Sequence, residues 1–216
     1  MFAYPKQAEV NRVVPKTKVY DYAKPNRALR NRFVSQVGEI VWKYKLSPET
    51  VNLPARQGIQ EIQVFVIALK TGELNGDVLR TMDKTIPSPI FYELTFEDRV
   101  KFTAAYKRPG DSGASKSFVD AYRETGWQPV TVARPPLPVA LDLSGLYEQM
   151  LRRHMAIRSR PGEMLMSYVE RVNRIRSKEI ECRRLEARIG REIQFNRKVE
   201  LNAALRLTRA ELAELQ

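Results

Sequence analysis

Apolar residues near the N-terminus recur at a spacing that predicts a helix. Leu29, Phe33 and Val37 lie four positions apart after Pro25-Asn26, which supplies a start signal, and Gly38 supplies a stop. We therefore expect a short amphipathic helix that packs one face on a core.

The pattern then changes to strands. Residues 40–46 alternate between apolar and mostly lysine-bearing positions, and residues 59–69 form a Val- and Ile-rich run typical of a central strand. Residues 90–107 predict a hairpin around a turn at Glu97-Asp98, and residues 118–125 predict one further strand.

A second short helix is predicted between the central strand and this hairpin. It covers Val78, Leu79 and Met82 and ends before Pro87. The element order predicts a fold of the α+β or α/β class, with a mixed sheet of about five strands and two short helices.

Proline-rich segments suggest the domain limits. Residues 1–25 contain three prolines and no helical period, which predicts an extended basic arm with a short edge strand at Lys16–Tyr20. Residues 128–138 contain four prolines, as in a semi-rigid linker. We therefore expect an α/β domain over 1–127 and a helical arm over 139–216.

The last third of the chain has the pattern of a long helix. From Glu163 to Leu207 there is no proline and one glycine, Gly190, and apolar residues fall mostly three, four or seven apart. A helix of about 40 residues would extend about 60 Å, too far to be buried on one small domain. The pattern therefore predicts a helical hairpin, a coiled coil that self-associates through 163–216, or docking on another protein. The apolar residues depart from a strict heptad spacing after Ile189, which argues against a regular coiled coil.

The formal net charge is +12, and the charged residues are distributed unevenly along the chain. Basic and acidic residues number 11 and 4 over 1–60, 10 and 12 over 61–150, and 16 and 9 over 151–216. Basic flanks favour contact with a polyanion, either nucleic acid or an acidic protein surface. The alternative interpretation is that the basic residues form a solvated surface that binds no partner.

Basic residues near aromatic ones, or on the last helix, are the predicted nucleic-acid contacts. Trp42, Tyr44 and Tyr106 lie among the lysines and could stack on unpaired bases, but Trp42 and Tyr44 alternate away from them and fit a core better. Phosphate contact is therefore favoured over base recognition. The predicted contacts are Lys16, Lys18, Lys43, Lys45, Lys107, Arg108, Arg183, Arg184, Arg191, Arg197 and Lys198.

Catalytic patterns are sparse. His154 is the only histidine and Cys182 the only cysteine, and no phosphate-binding glycine loop is present, so neither a metal nor a cofactor is predicted. Glu61 and Gln63 share one side of the central strand and resemble the Glu-x-Lys of metal-dependent nucleases with Gln in place of Lys. Such sites also need an upstream aspartate as a hard oxygen ligand, and none occurs between Asp21 and Asp77.

No apolar run approaches the roughly 20 residues that cross a bilayer, and the start of the chain lacks a signal-like apolar segment. We expect a cytoplasmic protein without a membrane partner.

Six segments resemble, in one order along the chain, a bacterial and archaeal family known as domain of unknown function 4391. They are NRVVPK (11–16), VGEIVWKYKLSPETVN (37–52), EIQVFVIAL (61–69), DKTIPSPIF (83–91), AAYK (104–107) and EIQFNRKVELN (192–202). The resemblance implies genes that lie beside DNA methyltransferases and helicases of restriction-like antiviral defence modules. It brings no established catalytic residues.

Together these features favour a non-catalytic accessory subunit that binds DNA, duplex or single-stranded, or bridges protein partners such as a helicase or methyltransferase subunit. Two alternatives stay open. One is a metal-dependent nuclease subunit that uses Glu61 and Gln63, and the other is a structural adaptor that joins proteins through the C-terminal helix.

Overall fold

The computed structural model describes residues 2–108, 118–155 and 157–216. The chain divides into two compact units, Met1–Ala156 and Ile157–Gln216.

The first unit is built on a mixed β-sheet in which six strands lie side by side in chain order. Neighbouring strands are antiparallel except the third and fourth, which run parallel and therefore need a helical crossover. A short seventh strand pairs with the fifth. Among the described residues the strands are β1 (Glu9–Val13), β2 (Val37–Leu46), β3 (Ile62–Leu69), β4 (Ile90–Phe96), β5 (Arg99–Arg108), β6 (Phe118–Glu124) and β7 (Gln128–Pro129).

Helices cover both faces of this sheet. The described helices of the first unit are α1 (Lys16–Ala23), α2 (Arg27–Gln36), α3 (Pro48–Val51), α4 (Gly76–Thr85) and α5 (Leu143–Arg153). α2 begins where predicted because the Asn26 side chain accepts a hydrogen bond from the Leu29 amide at 2.9 Å. α4 is the β3–β4 crossover, and its apolar side, with Val78 and Met82, packs in the core with Phe33 and Ile67.

The predicted class, a mixed α/β fold followed by long C-terminal helices, is confirmed. The N-terminal segment differs from the predicted extended arm. Lys16–Ala23 is a helix and not the predicted edge strand, because Val19 is buried in the core and the Tyr20 ring meets Phe33 edge-on at 5.5 Å. The strand that pairs with β2 is β1, earlier in the chain.

The division between units also lies later than the predicted proline linker at 128–138. Helix α5 belongs to the first unit because five of its side chains are buried. Among them, Tyr147 packs against Phe91, and its hydroxyl accepts a hydrogen bond from the Lys107 amide at 2.7 Å. The prolines thus lie within the first unit.

The second unit is a helical hairpin, one of the three arrangements that the sequence left open. α6 (Leu165–Arg191) and α7 (Phe195–Leu215) are joined by only three residues, 192–194. The side chains of α6 and α7 that are buried in this unit are Tyr168, Val169, Arg171, Val172, Ile175, Cys182, Leu205 and Thr208. Within the described residues, no helix is long and apolar enough to cross a membrane.

Candidate nucleic-acid interface

The lysines of β2 are held by acidic neighbours in the first unit. Lys43 lies 3.1 Å from the Glu9 carboxylate and also donates to Asn11, and Lys45 lies 3.0 Å from Glu61. A phosphate would have to compete with a carboxylate for either ammonium group. These two predicted contacts are weak candidates for nucleic acid.

The two lysines of α1 differ from each other. Lys16 is half-buried, and its ammonium donates to the Val37 carbonyl at 2.5 Å. Burial, and then repulsion from Lys70, lowers the pKa of Lys16. Lys18 is exposed and stays available to an anion.

The aromatic residues expected near these lysines are half-buried. The Trp42 indole N–H donates to Gln63 Oε1 at 2.6 Å, and the Tyr44 ring packs on Tyr4 with centroids 4.5 Å apart. Their contacts within the protein leave them poorly placed to stack on bases.

Lys107 is buried and belongs to an internal polar cluster. The side chains of Lys107 and Asp83 are 1% and 2% exposed, and their charged atoms lie 3.4 Å apart. The Lys107 ammonium also donates to the main-chain carbonyls of Asp83 and Ile86, at the C-terminal end of α4. Two tyrosine hydroxyls, from Tyr92 and Tyr122, donate to the Asp83 carboxylate.

This cluster ties α4 to the sheet. Burial raises the pKa of Asp83 and lowers the pKa of Lys107, and the charge of each partner opposes the shift of the other. The two tyrosine hydroxyls and the two main-chain carbonyls also form hydrogen bonds with these buried charges. Removal of either charged side chain would leave the other charge buried without its counter-ion. Lys107 is therefore a structural residue and cannot reach a phosphate from this position.

The predicted nuclease pair lies at the start of β3. Glu61 precedes the strand and is held by Lys45 and by the Ser88 hydroxyl, which donates to it at 2.9 Å. Gln63 is 4% exposed and accepts the Trp42 hydrogen bond. In the described part of the chain, no three His, Cys, Asp or Glu residues are grouped so that they could hold a metal ion. The nuclease alternative stays a prediction.

The hairpin presents its basic residues differently. We define the hairpin tip as residues 183–200, the end of α6, the connection and the start of α7. The five predicted contacts within it are exposed, and none lies within 4.0 Å of an acidic group of the described residues; they are Arg183, Arg184, Arg191, Arg197 and Lys198. The side chain of Arg108, at the end of β5, lies outside the described residues.

Acidic residues reduce this charge only partly. The hairpin tip contains six basic and three acidic residues, the sixth basic residue being Arg188. Glu186 forms an ion pair with Arg209 at 2.8 Å. Glu192 turns toward the connection and accepts hydrogen bonds from the amides of Ile193 and Gln194, both at 3.0 Å. These bonds lower the pKa of Glu192, the Gln194 amide contributing most, and the charges of Arg197 and Arg188 lower it further.

Two large apolar side chains project at the same end. Ile193 is 95% exposed and Phe195 is 77% exposed. Sequence reasoning did not single out either residue because it left open whether residues 163–207 form one long helix or a helical hairpin. The departure from a strict heptad spacing after Ile189 was the signal that a turn follows, and the turn at residues 192–194 exposes these side chains.

The opposite end of the hairpin is fixed by a buried ion pair. The Arg171 guanidinium bonds to both oxygens of Glu163, at 2.7 and 2.8 Å, and donates to the Leu215 carbonyl. The pKa of Glu163 is lowered to about 2, chiefly by its hydrogen bonds from Arg171. The hydrogen bond from Arg171 to the Leu215 carbonyl connects α6 to the end of α7 at the base of the hairpin, opposite the tip.

These features define a two-unit protein in which a mixed α/β sheet unit, with a buried Lys107–Asp83 ion pair, is followed by a basic helical hairpin. The chain belongs to the family described as domain of unknown function (DUF4391), whose model matches residues 2–212. Comparisons with curated proteins and with solved structures found no match.

Proposed function

We propose that this protein is a non-catalytic accessory subunit that binds DNA through the hairpin tip. The observation that carries the proposal is the group of exposed arginine and lysine side chains at one end of a two-helix hairpin, without carboxylate partners within 4.0 Å among the described residues. Arginine and lysine bind phosphate by charge and by hydrogen bonds to its oxygens.

Such contact would be largely independent of sequence. Phosphate contacts carry no base information, and non-specific affinities of this kind are typically about 10⁻⁴–10⁻⁶ M at physiological salt. A weak, salt-sensitive DNA contact suits a subunit that acts inside a larger assembly, where a second contact raises the effective concentration.

The proposal extends to the setting of that assembly. As a cytoplasmic partner of a helicase or methyltransferase subunit in an antiviral, restriction-like complex, the protein would hold DNA with the hairpin while its sheet unit serves as a scaffold. Support for this setting comes from the family resemblance and from the charge of the flanks.

Titration of the full chain with a fluorescent duplex at several salt concentrations tests the DNA contact. We expect log K to fall linearly with log salt, and the Arg191→Gln/Arg197→Gln variant to bind more weakly with a slope smaller by about one for each lost phosphate contact. The matched control is Arg174→Gln/Arg176→Gln, which removes two exposed arginines from α6 outside the tip. Equal loss in both variants, or no binding at low salt, would refute the proposal.

A further inference from the structure

The exposed apolar side chains of the hairpin tip have no role in folding that the structure shows. Ile193 and Phe195 are 95% and 77% exposed, whereas the ring of Phe33 in the sheet unit is fully buried. Burial of a phenylalanine ring provides about 1.5–3 kcal/mol, so a partner that covered Phe195 would gain this free energy.

The surroundings of Phe195 indicate which partner. Lys198 and Val199 follow by three and four positions on α7 and thus lie beside the ring. Arg191 and Arg197 lie at the ends of the two helices that the connection joins, and both are exposed. A flat apolar ring among cations matches a ligand that offers a flat apolar face and a nearby anion.

Unpaired nucleotides have this chemistry. Each base offers a face on which an aromatic ring stacks, and each nucleotide carries a phosphate. In a closed duplex these faces are covered by neighbouring base pairs and are reached only at ends, junctions or unstacked steps.

Other occupants fit less well. A membrane surface would require a long apolar helix face, whereas the exposed large apolar side chains among the described residues of the tip are Ile193, Phe195 and Val199. A purely acidic protein surface would satisfy the arginines but would leave the apolar side chains of Ile193 and Phe195 uncovered.

We propose that Phe195, assisted by Ile193, stacks on unpaired bases, so that the hairpin tip prefers single-stranded DNA or a duplex with a single-stranded overhang over a blunt duplex. The inference rests on the proposed DNA contact and adds the substrate class. The cations bind the backbone of either form, and the aromatic ring distinguishes between them.

The experiment compares Phe195→Ala, Phe195→Trp and Leu207→Ala in the full chain, each titrated with a blunt duplex and with one strand of it. Leu207 is the matched control because it is an apolar residue of α7 that is 68% exposed but lies outside the tip. Phe195→Ala should weaken single-strand binding about fivefold to 150-fold, the range for one stacked base, and leave duplex binding within about twofold. Phe195→Trp should retain the preference, and bound single strand should quench the new indole.

Three results would overturn the inference: equal effects of Phe195→Ala on both DNA forms, no effect on either, or tighter association with anionic phospholipid vesicles than with the oligonucleotide. The titrations with blunt duplex distinguish the proposed backbone contact from the proposed base stacking. Loss of duplex binding in Arg191→Gln/Arg197→Gln with no effect of Phe195→Ala would retain the backbone contact and reject stacking. Absence of all DNA binding would reject both.

Discussion

In the sheet unit, Lys107 and Asp83 are almost completely buried and bond to each other, whereas at the hairpin tip Arg191 and Arg197 extend into solvent without an ion pair within 4.0 Å among the described residues. Basic side chains therefore serve two purposes in this protein. A charge taken out of water must be paired, and pairing fixes the elements that carry it. A charge left in water adds little to stability and stays available to a ligand.

The largest effect is expected from Lys107→Met, because it leaves the Asp83 carboxylate buried without its cation. The free energy of unfolding should fall by about 3–5 kcal/mol in urea titrations followed by circular dichroism. The control, Lys43→Met, removes a lysine whose ion pair with Glu9 is partly exposed and should cost about 1 kcal/mol or less. Similar losses in the two variants would mean that the buried cluster does not fix α4.

A second large effect concerns pH. His154 stacks on Phe102 with ring centroids 3.9 Å apart, and its Nε2 is buried without a hydrogen-bond partner in the described residues. Burial lowers the pKa of His154 to about 3, below its usual value of about 6.5. Since the unfolded chain takes up a proton first, stability is full above pH of about 6.5 and falls as pH drops toward about 3, by up to about 1.4 kcal/mol per pH unit.

His154→Phe should remove this component of acid sensitivity, as seen in melting temperatures measured between neutral and mildly acidic pH. The chain has one histidine, so no other imidazole contributes. A variant whose melting temperature falls with pH as steeply as that of the original protein would contradict the assignment.

A smaller loss of stability, at lower pH, is expected in the hairpin. The folded-state pKa of Glu163 is about 2, below that of a free carboxyl, so its ion pair with Arg171 contributes stability above pH of about 4.3 that is lost as pH falls toward about 2. Glu163→Gln should lower the hairpin's melting temperature near neutral pH and reduce its further loss in acid. Identical acid profiles would show that the pair does not hold the base of the hairpin.

The smallest effect on stability should come from the tip. Arg191→Gln/Arg197→Gln should change the free energy of unfolding by about 0.5 kcal/mol or less for each substitution, since both side chains are exposed. Urea titration of this variant beside Lys107→Met tests the comparison directly. A destabilisation comparable to that of Lys107→Met would give the tip charges a structural role and weaken their assignment to DNA.

Secondary structure with a clear local period could be predicted. α2, β2, β3 and the β4–β5 hairpin follow from spacing and turn residues, and the mixed α/β class follows from their order. The helix at Lys16–Ala23 could not be predicted in this way. It is stabilised by burial of Val19 in the core and by contact of Tyr20 with Phe33, and these contacts join residues that are distant in sequence.

The candidate site was predicted in part. The tip cations were identified from their density on an exposed helix face, but Lys43, Lys45 and Lys107 looked equally available in the sequence. Their carboxylate partners lie 16 to 34 residues away along the chain or across the sheet, and no spacing rule brings them together.

The fold class, the basic flanks and the helical C-terminal region follow from the amino-acid sequence alone, because composition and period act through local backbone geometry and the hydrophobic effect. The pairing of the lysines, the end of the first unit and the hairpin with Phe195 at its tip became known from the folded structure. The physical reason is that pairing and exposure depend on which distant residues share a neighbourhood, a property of packing and not of sequence separation.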